Sequence, residues 1–235
     1  MQSWHPHDGS VRGRLAVCCA WRCSGCGLFF ADVIAPGYPA LDDPSTEVGR
    51  YFVENDQEVR ALAFFHVLAA VALVFFAAYV RTFMRGVEPT AEGLPTLAFA
   101  SGVIAATFLL LSALFFRTLA EPAVAGDDAA QHAVLVLSYL AGGPAITVPL
   151  AVLIGACSLM ALRRGALPGW IGWFGAAGAA ACLVSAAMLL GPAKNTAPLF
   201  SVLLLAAGLG FLWIVVASVA MVMRAGRDPL SLAGR

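Results

Sequence analysis

Three stretches of this chain, Ala133 to Leu162, Leu167 to Leu190 and Pro198 to Met223, contain no charged residue at all. Two more come close: Val59 to Val80 holds only Arg60 and His66 as strongly polar residues, and Leu94 to Leu119 is uncharged until Arg117. Each exceeds the roughly 18 residues that mark a membrane-crossing candidate. At about 1.5 Å per residue, the run from Val59 to Val80 covers about 33 Å, enough for a typical hydrocarbon core. A soluble helix this apolar on every face would need a much larger protein to bury it, and the whole chain has 235 residues. Charged residues make up 12% of it, about half the share usual in soluble domains, so lipid is the expected solvent. The expected fold class is all-α, a transmembrane helical bundle forming one domain over residues 1–235.

A sixth run, Leu15 to Ile34, is marginal. Leu15, Val17, Leu28, Phe29, Phe30, Val33 and Ile34 favour insertion, whereas Arg22 near its middle costs about 2.5 to 3.5 kcal/mol on an insertion scale. Counting it, the spans fall at about 15–34, 59–81, 95–118, 133–162, 167–190 and 198–223, with a loop at 35–58. Arg12, Arg14, Arg81, Arg85, Arg163, Arg164, Arg224, Arg227 and Arg235 then share one side. The other side receives Arg50, Arg60, Arg117, Lys194 and most of the carboxylates. By the positive-inside rule both termini are cytoplasmic and the bundle belongs in the plasma membrane. The 35–58 loop is then external. Asp43-Pro44 reads there as an N-cap with proline at the first helical position, and Val48, Tyr51 and Phe52 share one face. A short outer-face helix between spans 1 and 2 follows. Asn55 with Glu58 resembles a capping box opening the second span. Trp170 and Trp173, beside Arg163 and Arg164, suit an interfacial position.

Small residues carry the packing logic. Gly172, Gly175 and Gly178 recur every three residues, Ala151 and Gly155 are four apart, and Ala206-Ala207-Gly208 sits within the last span. Such faces let helix backbones approach closely in lipid, within one chain or between copies of it. The partners expected are therefore membrane lipids and a second copy through these faces. Net charge is zero, which leaves no basic field for nucleic acid. No cleavable signal peptide is expected, because the first apolar run reaches Pro36 without a small-x-small site.

Few residues hint at chemistry. His66 lies two turns into the second span, and an ionisable group at that depth calls for a named partner. Arg117 and Tyr139 are the candidates. With Glu121, Asp127, Asp128 and His132 they are expected to line an outward-facing polar pocket. The plainer reading is a histidine satisfied by a backbone carbonyl and an arginine reaching for headgroups. Gly142, Gly143 and Pro144 predict a break in the fourth span, which at 30 residues is too long for one straight crossing. Broken helices line substrate sites in many transporters, although kinks that serve packing alone are commoner. Cys23 and Cys26 form a CxxC pair with Cys18 and Cys19 before it, suited to thiol redox or metal chemistry. Against that, no second CxxC stands at zinc spacing and Gly27 excludes the haem-attachment pattern. No GxSG, HExxH, P-loop or GxGxxG occurs in a supporting context, so neither catalytic residue, cofactor nor metal is assigned.

Three segments together resemble a group of actinobacterial multi-pass membrane proteins known only as a domain of unknown function. They are the Pro-rich start of the loop with Tyr51-Phe52 and Asn55, the Phe75-Phe76 span ending in Arg81 and Arg85, and Leu167-Pro168-Gly169-Trp170-Ile171-Gly172-Trp173-Phe174-Gly175. The resemblance runs from about residue 28 onward. It implies the six-helix layout and brings no activity, so no functional residue carries over. The N-terminus departs from it, crowding Trp4, His5, His7, Cys18, Cys19, Trp21, Arg22, Cys23 and Cys26 into 26 residues. Two readings of residues 1–26 stay open: an off-frame or mis-started translation of a GC-rich gene, and an unusual first helix. The leading functional expectation is a non-enzymatic membrane protein holding a lipid or small hydrophobic ligand in the outward pocket. The alternatives are a membrane thiol/quinone redox enzyme using Cys23 and Cys26, and a small transporter working at Pro144.

Overall fold

A computed structural model describes residues 39, 41, 43–90, 92–121, 124, 126–190 and 197–227. The first expected span, 15–34, and with it Cys18, Cys19, Cys23 and Cys26, lies outside the described residues, as does most of the segment before Leu41. Among the described residues the chain is helical, with no strand. The helices are α1 (Ser45–Glu54), α2 (Asp56–Val87), α3 (Gly93–Leu119), α4 (Asp128–Gly142), α5 (Pro144–Arg164), α6 (Gly169–Val184) and α7 (Ala197–Arg227), with a 3₁₀ segment, Ser185–Leu190, continuing α6. Taking α4 with α5 as one crossing and α6 with the start of its 3₁₀ extension as another, five helices are long and apolar enough to cross a membrane.

The boundaries follow local chemistry. Pro44 is extended (φ −56°, ψ 137°), and its carbonyl accepts the first helical bonds of α1, from the Glu47 and Val48 amides. Pro44 itself is therefore the N-cap residue, one position later than the expected Asp43. Asn55 ends α1 and starts α2. Its side-chain amide donates to the Tyr51 carbonyl at 2.9 Å rather than forming the expected capping box with Glu58. The Asn55 backbone N–H also goes to that carbonyl, at 2.9 Å, so the donor that a capping-box Glu58 would accept from is already used by the helix behind. Asp127 is a conventional cap, its Oδ1 accepting from the Ala129 and Ala130 amides at 3.1 Å each. Gly165 closes α5 with φ +60°, a left-handed geometry that favours glycine.

α4 and α5 meet at Gly143, where the backbone leaves helical geometry (φ −101°, ψ −109°). Pro144 brings no N–H to the carbonyl four residues back, and its ring occupies the first position of α5, where a missing donor costs least. The Gly143 amide still reaches the Tyr139 carbonyl at 2.9 Å.

α2 packs along α3, α3 along α5 and α4, α5 along α6, and α6 along α7. One apolar core joins α2, α3, α5, α6 and α7 around Leu73, Phe76, Leu153, Ile154 and Trp213. A second, smaller cluster gathers Val48, Phe52, Val59, Leu119 and Leu135 where α1 lies against α4 and the end of α3. Large apolar side chains also cover the outside: Phe64, Phe75, Leu114, Trp170, Trp173 and Leu190 are all more than half exposed. A water-soluble protein rarely presents so much apolar surface. Without a hydrophobic drive between helices in lipid, close packing must hold the bundle, and glycine marks where it is closest. A Cβ added at Gly102 would stand 2.5 Å from the Ala77 Cβ. Gly175 leaves the space into which α7 inserts the Trp213 indole, whose Nε1 donates to the Ile171 carbonyl at 3.0 Å.

Candidate functional site

The four residues expected to line an outward pocket lie on α2, α3 and α4, and three of them are engaged separately. His66 is buried, its Nδ1 2.9 Å from the Leu62 carbonyl one turn earlier on α2. A carbonyl can only accept, so the hydrogen sits on Nδ1. The ring stands edge-on to Phe116 with centroids 5.0 Å apart. Arg117, next to Phe116, is exposed and pairs with Glu121 one turn on in its own helix. The Tyr139 hydroxyl donates to the Pro39 carbonyl at 2.8 Å, tying the segment before α1 to the last turn of α4. His132 is exposed on α4. Of the carboxylates expected in that pocket, Asp127 caps α4 and Glu121 holds Arg117.

The segment under α1 is apolar. Val48 and Phe52 of α1 are buried against Leu119 and Leu135. Burial, with the Glu58 carboxylate adding to it, pushes the Tyr51 phenol above its usual range, so its hydroxyl stays neutral there.

Sequence reasoning passed over Gln131. It lies one turn before Leu135 on the same face of α4, followed on that face by Ser138. Its side chain is 1% exposed, and both carboxamide atoms, Oε1 and Nε2, lack a hydrogen-bond partner among the described residues. A buried amide without partners costs about 1–3 kcal/mol, so native proteins fill such a position with water or a ligand atom. A glutamine in the first helical turn beside Asp127, Asp128 and His132 reads as solvated, which is why it carried no signal. Its spacing from Leu135 and Ser138 was the available clue.

At Gly143 the surroundings are hydroxyl-rich. Ser112 of α3 faces Gly142 closely enough that an added Cβ there would stand 3.0 Å from its Oγ, and that Oγ is buried with no partner among the described residues. Thr147 and Ser185 bond through their hydroxyls at 2.6 Å, and Ser185 also donates to the Cys182 carbonyl.

The other end of the bundle is defined by arginine. α2, α5 and α7 finish there. Arg164 forms a forked pair with Glu88, Arg85 meets Glu92 at 3.2 Å, and Arg81 lies over the Phe99 ring. Arg224 donates to the Gly165 and Ala166 carbonyls, fastening α7 to the connection between α5 and α6.

Neither a curated protein nor a solved structure matches the chain. A family match spans residues 26–217, from the CxxC region through α7, and thus most of the helices described above. The chain belongs to the family described as domain of unknown function DUF4386.

Proposed function

We propose that the chain is a six-span plasma-membrane protein with both termini in the cytoplasm, like the actinobacterial multi-pass group it resembles. In this reading it holds one lipid chain or small hydrophobic molecule with a polar tip beneath α1. The Gln131 carboxamide carries the reading: a buried donor and acceptor, unmatched among the described residues, stand one turn before Leu135 of the apolar cluster that α1 covers. A hydrocarbon body suits Phe52, Leu119 and Leu135, and one polar group suits the amide. His66, Arg117, Tyr139 and His132 become the frame of this site rather than its ligands, since His66 Nδ1, Arg117 and the Tyr139 hydroxyl already have partners and His132 is exposed. Arginines gathered at the opposite end support a cytoplasmic position for that end and an external one for α1. Residues 15–34 supply the first span.

Native mass spectrometry from mild detergent tests the ligand. The parent protein is expected to carry a discrete bound mass, and Gln131→Leu to lose it. Without ligand, Gln131→Leu should unfold at higher temperature, because it removes an unpaired buried amide worth about 1–3 kcal/mol. An identical bound species in both proteins, or none in the parent, overturns the proposal.

A further inference from the structure

Towards the arginine end, α2, α5 and α7 leave a narrow crevice bounded by Val80, Met84, Cys157, Met160, Trp213 and Met221. Its volume of about 10 Å³ accommodates a single water-sized sphere. Three of the chain's six methionines meet here, from three different helices, together with one of the two described cysteines. Met84, Met160 and Met221 are each 2% exposed and Cys157 7%. Methionine fills irregular gaps, but elsewhere this core is filled mainly by Ala, Leu, Ile and Phe. The sulfurs are also close: Cys157 Sγ lies 4.0 Å from Met84 Sδ.

We propose that this crevice binds a soft monovalent cation of the copper(I) class through Cys157, Met84 and at least one of Met160 and Met221. Thiolate and thioether donors select copper(I) among biological metals. A metal–sulfur distance of about 2.3 Å in a trigonal set separates the sulfurs by about 4.0 Å, the spacing already present between Met84 and Cys157. Charge supports a monovalent ion. One thiolate and neutral thioethers cancel a single positive charge, whereas a divalent ion would leave one unpaired where burial makes it costly. On binding, the S–H bond of Cys157 breaks, its electron pair goes to the metal and the proton leaves to solvent. Nothing is oxidised or reduced. The site is separate from the one under α1 and stands or falls independently of it.

The test uses the full chain in detergent, with Cys18, Cys19, Cys23 and Cys26 changed to serine in every sample so that those thiols do not compete. Cuprous ion is titrated anaerobically against a coloured chelator. The parent is expected to retain one equivalent and release one proton, and X-ray absorption to show at least three sulfurs at about 2.3 Å. The triple variant Met84→Leu/Met160→Leu/Met221→Leu conserves volume and should keep the fold. It should weaken retention by more than the roughly 10–100-fold that loss of an outer-shell partner costs. Cys157→Ser should abolish proton release, while Cys182→Ser changes neither readout. No retention by the parent, or equal retention by the triple variant, overturns the proposal. Should the triple variant fail to fold, the parent's sulfur count decides: fewer than three overturns it.

Discussion

Single atoms decide much of this molecule's stability, because lipid gives the helices no reason to associate except fit. Gly102 is the sharpest case. A methyl group there meets the Ala77 Cβ at 2.5 Å and Leu153 Cδ1 at 2.8 Å, and the first neighbour is anchored to backbone. Gly102→Ala is therefore expected to destabilise the bundle by about 1–3 kcal/mol, read as a lower unfolding temperature in detergent. Gly178 is the control. Nothing lies within 4 Å of an added Cβ, so Gly178→Ala should be neutral or stabilise by up to about 1 kcal/mol through helix propensity. Equal effects at both positions would refute the close-approach account. Of the two glycines, the repeating pattern in the sequence pointed to Gly178, and Gly102 belonged to no motif. Both are helical glycines among small residues, and only the neighbouring helix tells them apart.

Among the elements, α1 is the shortest α-helix described. Its apolar face rests on α4 and the end of α3, and the segment before it is pinned by the Tyr139 hydroxyl on the Pro39 carbonyl. Tyr139→Phe removes that donor and keeps the ring, so a loss of about 0.5–1.5 kcal/mol is expected. Hydrogen exchange locates the effect: amides of α1 should exchange faster, while those of α5 stay protected. Uniform change across all helices would show that Pro39 is not a local anchor. The residues expected to share a polar pocket are engaged one by one: His66, Arg117, Glu121 and Asp127 each have a partner within or beside their own helix. Spacing along the chain does not distinguish a side chain facing a shared cavity from one turned back on its own backbone.

For the whole molecule, the asymmetry of arginine matters more than any one of its ion pairs. Arg164–Glu88 is solvated enough to contribute only about 0–1 kcal/mol, so losing it should barely alter thermal stability. Its expected weight is in orientation. A reporter active only outside the cell should be silent when fused after Gly165 in the parent. Changing Arg81, Arg85, Arg163 and Arg164 to Gln should make a fraction of it active, as the bias toward the cytoplasmic side weakens. Activity of the parent fusion would reverse the proposed topology.

The amino-acid sequence alone determined that this chain forms long helices suited to lipid. Apolar runs of 22 to 30 residues, three of them wholly uncharged, leave the backbone no other way to satisfy its hydrogen bonds in hydrocarbon. Proline and glycine announced the interruption at Gly143 for an equally local reason, a missing N–H. Tertiary structure alone decided what is buried at each position. It turned Gln131 inward without a partner among the described residues and gave Gly175's empty side to Trp213. It also drew Met84, Cys157, Met160 and Met221 around one crevice. Those outcomes depend on which helix faces which across a few ångströms. Every face of these helices is apolar enough to lie against either lipid or protein, so hydrophobic periodicity carries little information about that choice.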